Sequence, residues 1–200
     1  MRMKIWIASA LLVLGAFVAA VAQEHDMSKM SPQEKAAMDA MTKAATPGPA
    51  HKALAPFVGT FEAKVTMWSK PGGDPMVMTG TSHNQWVLGD RYVEQHFASS
   101  YMGMPFYGIG YMGYDNVKKQ YWGSWIDNMS TGIMTSTGNM TDAKTWKYTE
   151  KMSDPVSGKE VTGESTLALV DNDHHVSEMW GPGPDGKMFK MMEIAYTRKK

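Results

Sequence analysis

The chain has 200 residues, with 20 basic and 20 acidic side chains that give a formal net charge of zero. This balance argues against nucleic acid as a partner, because phosphate binding needs an excess of Lys and Arg. Cysteine is absent, which excludes disulfides, thiolate metal sites, a cysteine nucleophile and a lipidated cysteine. The length suits a single domain with a sizeable core.

The first 22 residues have the pattern of a secretory signal peptide. Arg2 and Lys4 form a basic start, residues 5–18 are almost wholly apolar, and residues 20–22 (Ala-Val-Ala) fit the small-x-small cleavage pattern. The apolar run is shorter than the roughly 20 residues of a spanning helix, so we expect cleavage rather than a retained membrane anchor. The mature chain would then have no membrane span. Since the sequence resembles bacterial exported proteins, we predict a periplasmic or secreted protein.

Residues 23–46 are polar and rich in Met and Ala, with one helix signal. Ser31 and Glu34 have the spacing of a capping box, and a proline occupies the first helical position. Good helix formers follow over 33–45. We therefore predict a short helix and a linker in this segment, ahead of a domain over 47–200.

Cleavage after residue 22 would leave His25 as the third residue, behind a free amine. This arrangement can hold Cu(II) or Ni(II) in square-planar geometry through the amine, two amide nitrogens and the imidazole. The thioethers of Met27 and Met30 suit Cu(I). Copper handling by the N-terminal segment is therefore one functional hypothesis, although an N-terminal Gln that cyclises would lose the amine.

From residue 60 onward the hydrophobic pattern changes to a period of two, after a short helical turn over 50–57. Runs between clusters of Gly, Pro, Asn and Asp predict ten strands, over 60–68, 76–88, 91–99, 104–114, 119–127, 131–139, 145–152, 160–170, 174–181 and 188–198. Strands in sequence with short links and no crossover helices form antiparallel hairpins. Closing the sheet removes its exposed edges, so we predict an all-β, antiparallel up-and-down barrel of about ten strands. The alternative, a sandwich or jelly roll, needs long connections that the sequence lacks.

The two ends of this predicted barrel carry a weak motif. Gly59 and Phe61 open the first strand, and Arg198 closes the last. A helical turn leading into Gly-x-aromatic, then a meander and a late Arg, resembles the calycin plan of lipocalins and fatty-acid-binding proteins. In that plan the strand-one aromatic, usually Trp, packs beside a basic side chain that closes the barrel end. The resemblance implies that Phe61 and Arg198 take these two structural places.

A second resemblance covers most of the predicted barrel domain. The motifs that carry it are His51-x-x-Leu54, Leu88-Gly89-Asp90-Arg91, Met104-Pro105-Phe106-x-Gly108, Gly113-Tyr114-Asp115, Trp125-Ile126-Asp127 and Tyr196-Thr197-Arg198. In this order they are similar to the uncharacterised bacterial family called domain of unknown function 1579. That family usually has Gly-Gly-Arg where this chain has Gly-Asp-Arg. The resemblance implies the barrel fold and brings no activity with it.

One strand carries a candidate ligand site. Tyr121, Trp125 and Asp127 share a face by the period of two, and two same-face glycines on the preceding strand leave a gap or let that strand bend. If this face is inward, Asp127 needs a partner, for which Arg91 is the candidate. We therefore predict a pocket with aromatic walls and an Arg91–Asp127 pair at its end. The alternative is a tie between strands that binds no ligand.

Two further side chains could place chemistry in the lumen. Glu193 lies on the last strand, whose faces are both mixed, so the sequence leaves its orientation open. An inward Glu193 would join Asp127 in a carboxylate pair, and a glycosidase-like mechanism would need a defined separation between them. A haem-binding barrel needs one histidine facing the lumen, for which His96 is the candidate; the alternative, which we favour, is that His96 is an exposed or hydrogen-bonded histidine without a ligand.

The chain contains 20 methionines. They could form an adaptable lining for apolar guests, act as a pool that consumes oxidants, or replace leucine in the core. The leading functional hypothesis is non-catalytic binding of a small, largely apolar or amphipathic molecule in the lumen, with no required cofactor. The alternative is an enzyme or haem-type sensor that uses the same cavity.

Overall fold

The structure, a computed structural model, describes residues 30–183 and 185–200. The predicted signal peptide and the copper-binding candidate His25 therefore lie outside the described residues. The chain divides into one unit that ends at Lys43 and a second from Ala44 to Lys200. Among the described residues, no helix is long and apolar enough to cross a membrane.

The first helix, α1, spans Pro32–Ala45. Its N-terminus has the predicted capping box, in which the Ser31 amide donates to Glu34 Oε2 at 2.8 Å and the Glu34 amide donates to Ser31 Oγ at 3.3 Å. All of its side chains are exposed or half-buried. Helix propensity and capping, rather than burial, therefore define this element.

The described residues of the second unit form a closed barrel in which every strand is antiparallel to both neighbours. The strands are β1 Gly59–Met67, β2 Met76–Val87, β3 Tyr92–Tyr101, β4 Met104–Asp115, β5 Gln120–Asp127, β6 Met134–Met140, β7 Thr145–Asp154, β8 Lys159–Leu169, β9 His174–Pro182 and β10 Met188–Arg198. Consecutive strands pair throughout, and β1 pairs with β10. The predicted up-and-down barrel is confirmed, and the sandwich alternative is wrong.

A helical segment plugs the barrel end at which β1 begins and β10 finishes, which we call the closed end. It consists of α2, Pro49–Lys52, and a 3-10 turn, Ala55–Phe57. Leu54 and Phe57 are 0% and 1% exposed and pack into a cluster that contains Val93, Tyr121 and Trp146. Burial of two large side chains of one short segment fixes it over the barrel end.

The β1–β10 junction ties this plug to the last strand. Phe61 and Arg198 lie opposite each other in the strand register. Arg198 Nη1 donates to the Val58 carbonyl at 2.7 Å, and Nη2 donates to the Pro56 carbonyl at 2.8 Å. Gly59 has a φ of +134°, and a Cβ there would overlap the guanidinium. Glycine at this position therefore lets Arg198 reach the plug.

Candidate ligand-binding cavity

The half of the barrel opposite the plug encloses a cavity of about 600 Å³. We call the end at which β1, β3, β5, β7 and β9 finish the open end. Its aliphatic and aromatic lining comprises Val65, Phe97, Tyr101, Phe106, Trp125, Ile133, Ile194 and Tyr196. A cavity of this size and lining can take a small, largely apolar molecule.

Methionine is the most frequent residue in the wall. Among the described residues, seven methionines line the cavity, namely Met67, Met78, Met129, Met134, Met152, Met179 and Met192. Six of them lie on β1, β2, β6, β7, β9 and β10, one on each strand, and Met129 lies in the β5–β6 connection. Because the thioether chain is unbranched and polarizable, such a wall can adjust to guests of different shape.

Trp125 forms the aromatic wall that the sequence predicts. It lies opposite Gly110 in the β4–β5 register, and a Cβ on Gly108 would overlap its six-membered ring. The indole therefore fills the space that the two same-face glycines leave. Its ring centroid lies 6.3 Å from that of Phe97, which in turn lies 5.9 Å from that of Phe106.

Asp127 lines the cavity beside this tryptophan. Its Oδ2 accepts a hydrogen bond from Trp125 Nε1 at 2.9 Å, and its Oδ1 accepts one from the Met129 amide at 2.9 Å. Among the described residues that line the cavity, Asp127 alone carries a charge. Two fixed donors therefore hold one carboxylate at the wall of an otherwise uncharged cavity.

The prediction that Arg91 pairs with Asp127 is wrong. Arg91 Nη1 instead donates to the carbonyls of Leu88 at 2.9 Å and Gly89 at 3.3 Å. Arg91 precedes β3, which begins at the closed end, whereas Asp127 finishes β5 at the open end. The two side chains therefore lie at opposite ends of the barrel.

Tyr121 faces inward but lies in the plug cluster rather than along the cavity. It is 4% exposed, and its hydroxyl donates to the Ala50 carbonyl at 3.0 Å. Burial raises the pKa of this phenol. The Tyr121 side chain therefore packs against the plug and does not contact the cavity in the open half.

Glu193, whose orientation the sequence left open, faces the outside of the barrel, so the carboxylate pair that an inward Glu193 would form with Asp127 does not exist. Lys190 Nζ lies 2.6 Å from Glu193 Oε2 and 2.9 Å from Glu178 Oε1. The register of β10 against β9 shifts between Lys190 and Met192. This bulge puts Lys190 and Glu193 on the same face although they are three residues apart.

His96 faces outward, and its Nε2 lies 3.4 Å from Glu94 Oε1, so it is not the lumen-facing histidine that the haem hypothesis needs. The inward histidine is His175, which is 3% exposed and stacks on Tyr196 with ring centroids 4.3 Å apart. Burial lowers the pKa of His175 to about 3. Within the part of the chain that the structure describes, no three His, Cys, Asp or Glu side chains cluster as a metal site.

A chain of hydrogen bonds that the sequence did not reveal links the cavity to the plug. Gln95 Nε2 donates to Ser82 Oγ at 2.7 Å and to the Tyr196 hydroxyl at 3.5 Å. Ser82 Oγ donates to Asn84 Oδ1 at 2.7 Å, and Asn84 Nδ2 donates to the Phe57 carbonyl at 2.8 Å. Gln95 and Tyr196 line the cavity, and burial raises the pKa of Tyr196 to about 12. The cavity floor is therefore polar and uncharged.

Glu150 is a second inward polar residue that sequence reasoning missed. It is 4% exposed, and Ser165 Oγ donates to its Oε1. Within residues 30–183 and 185–200, neither Glu150 Oε2 nor the buried Tyr148 hydroxyl has a hydrogen-bond partner. Burial raises the pKa of the Glu150 carboxyl. Glu150 shares its face of β7 with Trp146, Tyr148 and Met152, so the period of two was the signal that could have found it.

Comparison with known proteins adds a family and a fold. Residues 46–198 match the family described as "Protein of unknown function (DUF1579)". No curated protein matches significantly. The fold is similar to that of the crystal structure of Rv2717c from M. tuberculosis, with a TM-score of 0.56 and 14% identity over 78% of this chain and 100% of that chain. A redesigned β-barrel matches with a TM-score of 0.40 and 14% identity, over 74% of this chain and 96% of that chain.

Proposed function

The chain belongs to the DUF1579 family of proteins of unknown function, and we propose that it binds a small, largely apolar molecule in its lumen without altering it chemically. The observation that carries this proposal is the cavity of about 600 Å³ in the open half of the barrel. Its walls are aromatic, aliphatic and thioether groups. Contact with them removes apolar ligand surface from water, which stabilises the complex.

The expected affinity follows from the area that such a ligand would bury. Roughly 300 Å² of apolar ligand surface at ~25 cal/mol per Å² would contribute about 7 kcal/mol. Loss of translational and rotational freedom offsets part of this gain. We therefore expect dissociation constants of about 10 µM or weaker.

The polar groups at the cavity support binding rather than catalysis. General acid–base chemistry needs a titratable group positioned to exchange a proton with the substrate. Among the described lining residues, Asp127 is held by the Trp125 indole and the Met129 amide, and Tyr196 has a pKa raised to about 12 by burial. These groups are suited to orienting a ligand.

A fluorescent probe tests the proposal. The uncharged dye N-phenyl-1-naphthylamine should become brighter on binding the purified protein, and native mass spectrometry should show any small molecule retained from the cell. Met78→Trp fills the cavity and should weaken dye binding at least about tenfold. Val77→Trp is the matched control, because Val77 directly precedes Met78 in β2 and is 52% exposed on the outside.

Two results would overturn the proposal. The first is a wild-type protein that retains no small molecule and binds no dye. The second is a Met78→Trp protein that binds the dye as tightly as wild type and as Val77→Trp, which would place the dye outside the cavity.

A further inference from the structure

The geometry points to a ligand class. We propose that the cavity selects amphiphiles whose apolar body carries a cationic nitrogen, and that Asp127 and Trp125 hold that nitrogen while fatty-acid anions are rejected. This inference rests on the proposed binding function and deepens it, because it names the head group that the site recognises.

The charge distribution of the lining is the first argument. Among the described residues that line the cavity, Asp127 provides the sole charge, and it is negative. No Lys, Arg or His side chain of the described residues forms an ion pair with it. An anionic ligand would meet this carboxylate without a cation to pair with, and an unpaired charge in an apolar site is costly.

The arginines show why an anion finds no partner here. The sequence has three, and one of them, Arg2, lies outside the described residues. Arg91 bonds to backbone carbonyls of the turn that precedes β3, and Arg198 bonds to those of the plug. Both guanidinium groups are therefore occupied at the closed end, away from the cavity.

The state of Asp127 is the second argument. Trp125 Nε1 and the Met129 amide each donate to one of its two oxygens. A carboxylate has about four acceptor positions, so roughly two remain for a ligand. The two donors fix the direction of the carboxylate in advance, which lowers the cost of ordering it when a ligand binds.

The aromatic groups beside the carboxylate are the third argument. Trp125, Phe97 and Phe106 line the cavity together with Asp127. A cation that lies over an indole face is attracted by the ring quadrupole, by about 0.5–2 kcal/mol depending on desolvation. A carboxylate next to aromatic faces therefore suits an ammonium head, while the methionine wall takes the apolar body.

A matched ligand series tests this selection. Decylamine, decanol and decanoic acid each have ten carbons in one unbranched chain and differ in the charge of the head group at pH 7. We expect decylamine to displace N-phenyl-1-naphthylamine at a concentration about tenfold lower than decanol does, and decanoic acid to be the weakest of the three.

Asp127→Asn is the decisive variant, because an amide oxygen can still accept the indole bond while the charge is lost. It should weaken decylamine about tenfold, leave decanol unchanged and strengthen decanoic acid. Asp74→Asn changes the net charge equally at an exposed residue of the β1–β2 connection, and should leave all three affinities unchanged. In unmodified protein, raising NaCl from about 20 mM to about 1 M should reduce the advantage of the amine.

The outcomes separate this inference from the function on which it rests. Two results overturn the amine selection and leave the binding function standing. In the first, decanol binds and decylamine binds no more tightly than decanol. In the second, decylamine binds more tightly than decanol, but neither Asp127→Asn nor salt changes that difference. Failure of the dye and all three ligands to bind wild type overturns the binding function, and this inference with it.

Discussion

Arg198 holds its guanidinium carbon 4.6 Å from the centroid of the Phe61 ring while two of its nitrogens bond to the plug. One side chain thus joins the first strand, the last strand and the helical segment that closes the barrel. Two bonds from one planar group to two carbonyls need the fixed fork of a guanidinium. Lysine keeps the charge and lacks that fork.

Arg198→Lys should therefore destabilise the barrel by about 2 kcal/mol, since a hydrogen bond to a charged group contributes ~1.5–3 kcal/mol. Urea unfolding followed by tryptophan fluorescence measures the change. Lys199→Arg is the control, because Lys199 Nζ makes an exposed bond to Thr81 Oγ1 at 3.1 Å. Equal midpoints for Arg198→Lys and wild type would contradict a role for the fork.

Gly108→Ala should disturb the cavity wall, because the added methyl group would overlap the Trp125 ring. We expect a loss of about 1–3 kcal/mol in stability from overpacking and a clear fall in dye affinity. Gly132→Ala is the control, since Gly132 also lines the cavity and the nearest atom to a Cβ there is 3.8 Å away. Similar dye titrations for the two variants would show that Trp125 does not depend on Gly108.

His175 should make the protein sensitive to mild acid. Its pKa is lowered to about 3 by burial from a reference value of 6.5, so below pH 6.5 the unfolded chain binds a proton that the folded chain does not. The free energy of unfolding should fall by about 1.4 kcal/mol per pH unit between pH 6.5 and pH 3 from this group. His175→Gln should flatten that slope in urea titrations, while His96→Gln, at an exposed site, should not; equal slopes would contradict the assignment.

Glu150 should make the protein less stable as the pH rises, which is opposite to the effect of His175. Burial raises the pKa of its carboxyl in the folded state, so its contribution to stability is complete below the unfolded value and is lost as the pH rises through the folded value. Glu150→Gln cannot ionise, and should be more stable than wild type at pH 8 by roughly 1–3 kcal/mol, with a smaller difference at pH 4. Glu160→Gln, a 63% exposed side chain on the next strand, should match wild type at both pH values. A Glu150→Gln protein less stable than wild type at pH 8 would show that the carboxylate is needed.

The strands were predictable because Gly, Pro, Asn and Asp mark their ends, and the observed bounds lie within three residues of the predicted ones. The placement of side chains depended on further facts. Arg91 and Asp127 lie at opposite ends of the barrel because Arg91 precedes β3 and Asp127 finishes β5, and these two strands run in the same direction. The alternating direction of the strands in a meander is by itself enough to exclude that pair.

The outward position of Glu193 was harder to predict, because both faces of β10 are mixed in sequence and the bulge between Lys190 and Met192 breaks the alternation that would group Lys190 with Met192. The inward position of Gln95 at the cavity floor was also not predicted from the sequence. An inward polar residue that is satisfied by Ser82 resembles an outward one in sequence, so its partner must be known first.

The pairing order also has a consequence for how the chain folds. Each of β2 to β9 pairs with strands adjacent in sequence, so hairpins can form one after another with little loop entropy lost. The contact between Phe61 and Arg198 joins opposite ends of the domain, and must wait until the whole barrel sequence is available. A nascent chain that stops before β10 would leave β1 and β9 as open edges prone to pair with other molecules. The eleven residues of β10 thus close the sheet into a barrel and remove its two exposed edges.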